Sequence, residues 1–438
     1  MSEQLSADLL IEPRWLLPMT PAGAALEGHA LVVDAGRIVA LGPAAELRAR
    51  FAVRERVRRE HHALLPGLVN AYTRASETLL RAAVAPGAQS ALRASLRASG
   101  ADADFVRDGT RLAMAEMLCA GITCFADLSA HPEEAARVVA AAQLRAAIGL
   151  PVTEEAGAGA EHATAQLARA ERLWDEYRSD SRISLYFAPV AVPTLSDATL
   201  TRVRRVTDEL EARVCVHVGI GRGAGTPPHE VCDAAAPVRT TAAGAVLARL
   251  ERLGLLRPGF AAVGVLASER EALALIARHG ASLIACPQVS LRAGGAALVR
   301  LEGQRTALGT DSPATVGALD LLAEARVAAL LSGLPAAETL RLATLGGATV
   351  LGLQAQIGSL EVGKAADLVC IDLDPLACRC SRGVEAAIVF GATRSDVSDV
   401  WSGGRAAVRE HRLLAFDTEE LKQLPGNWAR RLKLGAAA

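Results

Sequence analysis

The sequence predicts an α/β protein: a (β/α)8 TIM-like barrel with a small β-sandwich domain built from the N- and C-terminal segments. Three observations carry this. Between Leu64 and Leu331, short apolar strands alternate with amphipathic helices, and so many strand-then-helix units favour a closed parallel barrel over an open sheet. The segments on either side are rich in strands and turns. The length of 438 residues accommodates one barrel of about 250 residues and one small domain. The expected divisions are 1–62 for the first part of the sandwich, 63–356 for the barrel, 357–418 for the rest of the sandwich and 419–438 for a helical tail.

In chain order, DLLIEPRWLLPM and ALVVDAGRIVALGP read as strands, the second folded into a hairpin at Asp34-Ala35-Gly36 with Val32, Val33, Ile38 and Val39 as its apolar faces. LLPGLVNAYTRASETLL (64–80) follows. Its Pro66-Gly67 turn leads into the apolar pair Leu68-Val69 and then a polar run at a strand's C-terminal end. Residues two apart on a strand share a face, so Tyr72 and Arg74 are expected to project together. The helix FVRDGTRLAMAEMLCAG, closed by Gly121, then feeds the strand ITCFAD. The same rhythm runs through the strands AAIGLPV, ISLYFAPV, RVCVHV, FAAVGVL, SLIACP and RTALGTD, each preceded or followed by an amphipathic helix. After the barrel, ETLRLATLGGATVLGL reads as a helix. IGSLEVGKAADLVCIDLD, EAAIVFGA, VSDVWSGGRAAV and HRLLAFD read as the returning strand-rich segment, and TEELKQLPGNWARRLKLG as a charged helical tail.

Composition narrows the function classes. Apolar residues make up 51% and charged ones 22%, with a net charge of -1, so nothing points to nucleic acid or to an anionic membrane. The first 18 residues carry no basic segment leading into a long apolar run, and no apolar run is long enough to span a bilayer; a soluble, cytoplasmic protein is expected. The eight cysteines are scattered, mostly in apolar strings, and read as buried free thiols; Cys378-x-Cys380 lacks a second pair for a metal site. GIGRGAG (219–225) lacks the Lys-Ser/Thr ending of a phosphate loop and is expected to be a flexible loop above the barrel.

The motifs LLPGLVNA (64–71), EMLCAGITCFAD (116–127), APVAVPTLSD (188–197), VCVHVG (214–219), ALGTDS (307–312), ATLGGATVLGL (343–353) and IGSLEVGKAADLV (357–369) resemble the amidohydrolase superfamily. Within it, they resemble the branch of methylthioadenosine/S-adenosylhomocysteine deaminases and triazine hydrolases. The resemblance implies a barrel with a β-sandwich, acting on C–N bonds through zinc or iron that makes hydroxide from water at neutral pH. It places the first-strand pair of ligand histidines on Tyr72 and Arg74, the fifth-strand ligand on His217, the sixth-strand ligand on or near Gly264 and the eighth-strand ligand on Asp311. The proton-shuttling Glu falls on Ile220, with Glu230 and Asp233 the nearest acids. Further family positions carry Val190, Ala267 and the string Cys286-Pro287-Gln288-Val289-Ser290-Leu291.

A catalytic zinc takes three protein ligands and a water, and only His217 and Asp311 remain. The sequence therefore predicts a degenerate metal site: a catalytically inactive relative of a C–N hydrolase or deaminase that binds a ligand or supports an active paralogue, without a cofactor. The alternative is an active hydrolase or deaminase of a purine-like or other cyclic C–N substrate, using a reduced one-metal site with zinc or iron. A metal-free enzyme using Arg74, Tyr72 and Asp311 is a third reading. Ligand binding is assigned to Tyr72, Arg74, His217 and Asp311, with Asp311 the candidate catalyst. Arg74 is expected to pair with Asp311, with Tyr72 or His217 donating a further hydrogen bond; its alternatives are a solvated rim side chain, or an anion receptor together with Arg222 or Arg292. Ser76 and Glu77 are read as rim or cap residues, Lys364 as part of a sandwich turn, and His29, His131, His162, His229, His279 and His411 as surface residues. The adjacent His61 and His62 face opposite ways. A homodimer is expected from the family.

Overall fold

Strands with apolar side chains on both faces create the first sheet. In the computed structural model, which describes residues 4–81, 102–154, 159–219, 243–292 and 305–432, the strands in chain order begin with β1 (Leu5–Leu16), β2 (Leu26–Glu27), β3 (His29–Asp34), β4 (Arg37–Pro43) and β5 (Phe51–Pro66). The barrel strands are β6 (Leu68–Thr73), β7 (Ile122–Asp127), β8 (Arg145–Val152), β9 (Ile183–Pro189), β10 (Arg213–His217), β11 (Phe260–Val263), β12 (Ser282–Ala285) and β13 (Arg305–Leu308). The chain ends with β14 (Leu368–Asp372), β15 (Val397–Ser402), β16 (Arg405–Arg409) and β17 (Arg412–Leu413).

The first sheet runs β17-β16-β15-β14-β5-β1-β3-β4, with β2 on β1. The terminal segments meet where β14 lies antiparallel to β5, Leu368 opposite Pro66. Leu9, Ile11, Leu31, Val33 and Ile38 pack with Leu368 and Trp401 on one face. Leu10, Val32 and Ala40 pack on the other face beneath Leu47 of the helix Ala44–Arg50. This is the predicted sandwich segment, with one correction: Val39 is 36% exposed, because it is the extra residue of a β-bulge, Val32 pairing with Ala40 and Val33 with Ile38, so that Ile38 and Ala40 are buried on opposite faces.

The second sheet places β6 to β13 side by side in chain order. Every residue of β6 and β7 is buried, as expected of a parallel sheet covered on both faces. The sheet closes on itself at one point. Thr73 pairs in parallel with Asp311, and the amides of Thr310 and Asp311 donate to the Tyr72 carbonyl at 3.1 and 3.0 Å. Gly309 permits this approach, since a Cβ there would lie 2.8 Å from the Tyr72 carbonyl oxygen. The predicted α/β barrel with an added sheet is the observed architecture.

EAAIVFGA corrects a local reading. Residues Val384–Ala386 and Ala387–Gly391 form helical turns, not a strand, since a short apolar run carries no period that separates the two. By their contacts the residues fall into two compact units. One comprises Met1–Asn70, Ala115–Cys124 and Asp320–Asp417; the other Ala71–Met114, Phe125–Leu319 and Thr418–Ala438. Among the described residues no helix is long and apolar enough to cross a membrane. Among the described cysteines all are free, and five are at least partly buried, but Cys119 and Cys380 are exposed.

Candidate functional site

The end of β6 and the end of β13 meet, and this brings the four predicted site residues together. Tyr72 is the last large inward side chain of β6 and is 1% exposed. Arg74 lies past the strand, with φ -125° and ψ 75°, and caps the 3-10 helix Ala75–Leu80. Asp311 follows β13 in the left-handed region, φ +55°, a conformation that aspartate tolerates better than most residues.

The expected ion pair forms. Arg74 Nε lies 3.8 Å from Asp311 Oδ1, and Arg74 Nη1 lies 3.7 Å from Glu77 Oε1, with all three side chains nearly buried. The further hydrogen bond does not form: His217 Nε2 is 3.9 Å from Asp311 Oδ2, an electrostatic contact beyond hydrogen-bond reach. The Tyr72 hydroxyl is buried without a hydrogen-bond partner. Its ring tilts 48° against the His217 ring at 6.1 Å, which orients both without joining their polar atoms.

Burial holds the His217 imidazole below its ordinary pKa; Asp311 opposes this and Arg74 adds to it. Burial likewise raises the Tyr72 phenol well above its usual range, against the pull of Arg74.

Glu77 and Ser76 correct the rim reading. They are 8% and 6% exposed, because the 3-10 helix turns inward after Arg74. Glu77 Oε2 accepts a hydrogen bond from Ser312 Oγ, so the segments after the first and eighth strands are tied beside the ion pair. Asp127, at the end of β7, is a further residue of this site. Its Oδ1 accepts from the Ala75 amide at 2.7 Å, its carbonyl accepts from the Tyr186 hydroxyl at 3.0 Å, and its Oδ2 is buried without a partner. Burial pushes its carboxyl up to about 6, Glu77 adding to the rise while the Ala75 amide and Arg74 oppose it. The one available signal in the sequence was position, since ITCFAD ends a barrel strand, where function concentrates. Nothing in the sequence marked the burial of Glu77.

The remaining candidates lie elsewhere. Arg292 is exposed, and its Nη1 donates to the Thr315 carbonyl. Arg222, His229, Glu230, Cys232, Asp233 and the Ile220 position lie outside the described residues, as does the glycine-rich loop beyond Gly219. His279 bonds Glu251 at 2.7 Å, His162 bonds Gln166 at 2.9 Å, and His61 is exposed while the half-buried His62 lies 3.9 Å from Asp372. Lys364 binds Ser359 and lies 2.9 Å from Glu361 in the sandwich turn.

The donor set fits a catalytic metal poorly. Among the described residues no group of three His, Cys, Asp or Glu side chains could hold an ion. Arg74 places a fixed positive charge against Asp311, where a divalent cation would meet repulsion. The sixth-strand position is also closed: Gly264 has φ +82°, and a Cβ there would sit 2.7 Å from Cε1 of His217. The imidazole occupies the space into which a side chain at 264 would extend.

A barrel of β/α units with its polar cluster at the strands' C-terminal ends defines a class, and comparison gives the family. Residues 63–407 match the amidohydrolase family, and the chain belongs to it. A short stretch, residues 30–52, also matches a bacterial imidazolonepropionase-like composite domain. The chain is 33% identical over its full length to the whole of a 5-methylthioadenosine/S-adenosylhomocysteine deaminase from Teredinibacter turnerae. It is 30% identical, again over both full lengths, to one from Saccharophagus degradans. Among solved structures it is similar to a zinc-bound adenosine deaminase from Xanthomonas campestris, at 35% identity and a TM-score of 0.86, covering 98% of this chain and 100% of that one. A zinc-bound atrazine chlorohydrolase from Arthrobacter aurescens shares the fold at 20% identity and a TM-score of 0.80, covering 96% of this chain and 99% of that one.

Proposed function

We propose that this amidohydrolase-family protein uses its barrel mouth as a metal-free binding site for a small ligand, not as a hydrolytic centre. The observation that carries the reading is the Arg74 guanidinium, flanked by Asp311 and Glu77 at 3.8 and 3.7 Å, at the position the family resemblance gives to a metal ligand. A guanidinium keeps its charge at any physiological pH, so Asp311 has a permanent counter-ion without a metal. The described donors at the mouth, His217 and Asp311, are two where a catalytic zinc takes three. Activity would then belong to a partner or paralogue, and the family's tendency to pair makes a homodimer the expected assembly of a cytoplasmic protein.

A second reading has a specific observation in its favour. Full-length relatives at 30–33% identity are named deaminases, and the Xanthomonas neighbour at 35% holds zinc. On that reading His217, Asp311 and a further ligand hold one zinc or iron ion, and a purine-like cyclic C–N substrate is hydrolysed.

One experiment separates them: elemental analysis of protein purified without chelator, paired with an ammonia-release assay on adenosine-type substrates. The metal-free reading expects substoichiometric zinc and iron and no ammonia above a heat-killed control. Stoichiometric metal with turnover would establish the second reading instead.

A further inference from the structure

The C-terminal helix Thr418–Arg431 ends in an aromatic anchor whose neighbours are the two segments that carry the site. Trp428, 3% exposed, packs with Leu80, Phe105, Ala314 and Leu432 in one buried cluster. Leu80 ends the 3-10 helix that starts directly after Arg74 and holds Glu77. Ala314 lies in the turn capped by Ser312, three residues beyond Asp311. The Trp428 cluster therefore includes a side chain from the segment after each half of the ion pair, near the place where Glu77 and Ser312 already join them.

The anchor is fixed from several sides. Trp428 Nε1 donates to Asp108 Oδ2 at 3.0 Å, and its ring meets Phe105 edge-on at 5.2 Å and 87°. Arg431 stacks over the indole at 4.7 Å and reaches Asp104 at 3.2 Å, while Arg111 holds Glu420 at 2.7 Å. The helix Asp102–Cys119, which supplies Phe105, Asp108 and Arg111, presses directly on the 3-10 helix: a Cβ at Gly109 would lie 2.3 Å from the Ser76 carbonyl oxygen. The 3-10 helix thus packs on the helix Asp102–Cys119 at Gly109 and, through Leu80, on the Trp428 cluster.

We infer that Trp428 is a positioning residue of the barrel mouth: the C-terminal helix sets the spacing between the Arg74–Glu77 segment and the Asp311–Ser312 segment, and its release opens that spacing. The inference concerns the site of the proposed function and rests on that reading only in taking the mouth as the place where a ligand sits. The Arg74–Asp311 contact, at 3.8 Å and without a hydrogen bond, does not lock the two segments by itself. The segments are also joined directly, by the Thr310 and Asp311 amides on the Tyr72 carbonyl and by Ser312 on Glu77, and the tail cluster adds a further hold through Leu80 and Ala314.

Hydrogen exchange read by mass spectrometry on the full chain tests this without ligand or metal, so failure here is distinguishable from failure of the metal-free reading. In Trp428→Ala, peptides covering 70–80 and 306–316 are expected to exchange about tenfold faster, while a sheet peptide covering 29–43 is unchanged. Trp428→Phe, which keeps an aromatic anchor, is expected to restore most of the protection. Leu432→Ala, a milder cut in the same cluster, is expected to accelerate both peptides about threefold and serves if the first variant does not fold. Unchanged exchange of both mouth peptides in Leu432→Ala and Trp428→Ala overturns the inference, as does equal acceleration of the sheet peptide.

Discussion

Two arginine–carboxylate pairs in this protein follow opposite designs. In the first sheet, Arg59 grips Asp399 with both donors, Nε to Oδ2 at 2.8 Å and Nη2 to Oδ1 at 2.7 Å. Ser398 Oγ adds a third bond at 2.7 Å, and Asp399 is fully buried. At the barrel mouth, Arg74 stands 3.7 and 3.8 Å from two carboxylates, near a buried tyrosine hydroxyl and a buried carboxylate oxygen that lack partners. The first arrangement is geometrically complete, as a structural pair must be to offset its desolvation. The second leaves buried polar groups without a hydrogen-bond partner, which costs stability.

The contrast is sharpest in chemistry. Restoring the first-strand ligands with Tyr72→His and Arg74→His removes the resident cation and adds two donors to His217 and Asp311. Zinc content of this double variant is expected to reach about one equivalent per chain, measured by elemental analysis after dialysis, because three or more ligands suffice for a catalytic site. A double variant that stays metal-free breaks the view of the mouth as a vacated metal position.

Next in size is the structural pair itself. Asp399→Ala leaves Arg59 buried against a lost partner and is expected to cost about 3–5 kcal/mol in urea unfolding. Asp399 also sets a sign in pH. Its carboxyl is held below the ordinary value, Arg59 and Ser398 outweighing burial. Its stabilising contribution is complete above the unfolded pKa and is lost as pH falls through the native value.

Asp127 behaves in the reverse sense. Its carboxyl is pushed up to about 6 from an ordinary 3.8, so its contribution is complete below pH ~4 and is lost as pH rises through about 6. The difference is worth about 3 kcal/mol as an order of magnitude. Asp127→Asn is expected to remove that slope between pH 4 and 6, read from unfolding midpoints across the range; an unchanged slope would assign the effect to another group.

The smallest effect belongs to the looser pair. Asp311→Asn is expected to cost about 1 kcal/mol or less in the same urea assay, since Arg74 keeps Glu77 and no hydrogen bond to the Asp311 carboxylate is broken. A loss near that of Asp399→Ala would mean the mouth pair is structural after all.

The fold was legible because it rests on local periods: six fully buried residues in β6 and in β7, separated by an amphipathic helix, announce a parallel barrel. Tyr72 and Arg74 were paired by their spacing along one strand, and His217 and Asp311 by the family motifs, and the structure brings these four side chains near one another. Glu77 was not legible, since its burial depends on how the chain turns after Arg74 and on Ser312 far along the sequence. Asp127 and Trp428 were missed for the same reason: their partners, Ala75 and Tyr186 in one case, Leu80 and Ala314 in the other, are close only in the folded barrel. Val384–Gly391 failed through ambiguity, being too short and too apolar to display a period.

The His217 ring resting on Gly264 also limits which side chains this edge of the mouth can accept. A histidine entering at 264 would need a backbone angle of φ +82° and would collide with the imidazole 2.7 Å from its Cβ. A side-chain donor at 264 therefore requires the His217 ring to move first, so the glycine and the imidazole together fix the shape of this edge of the mouth.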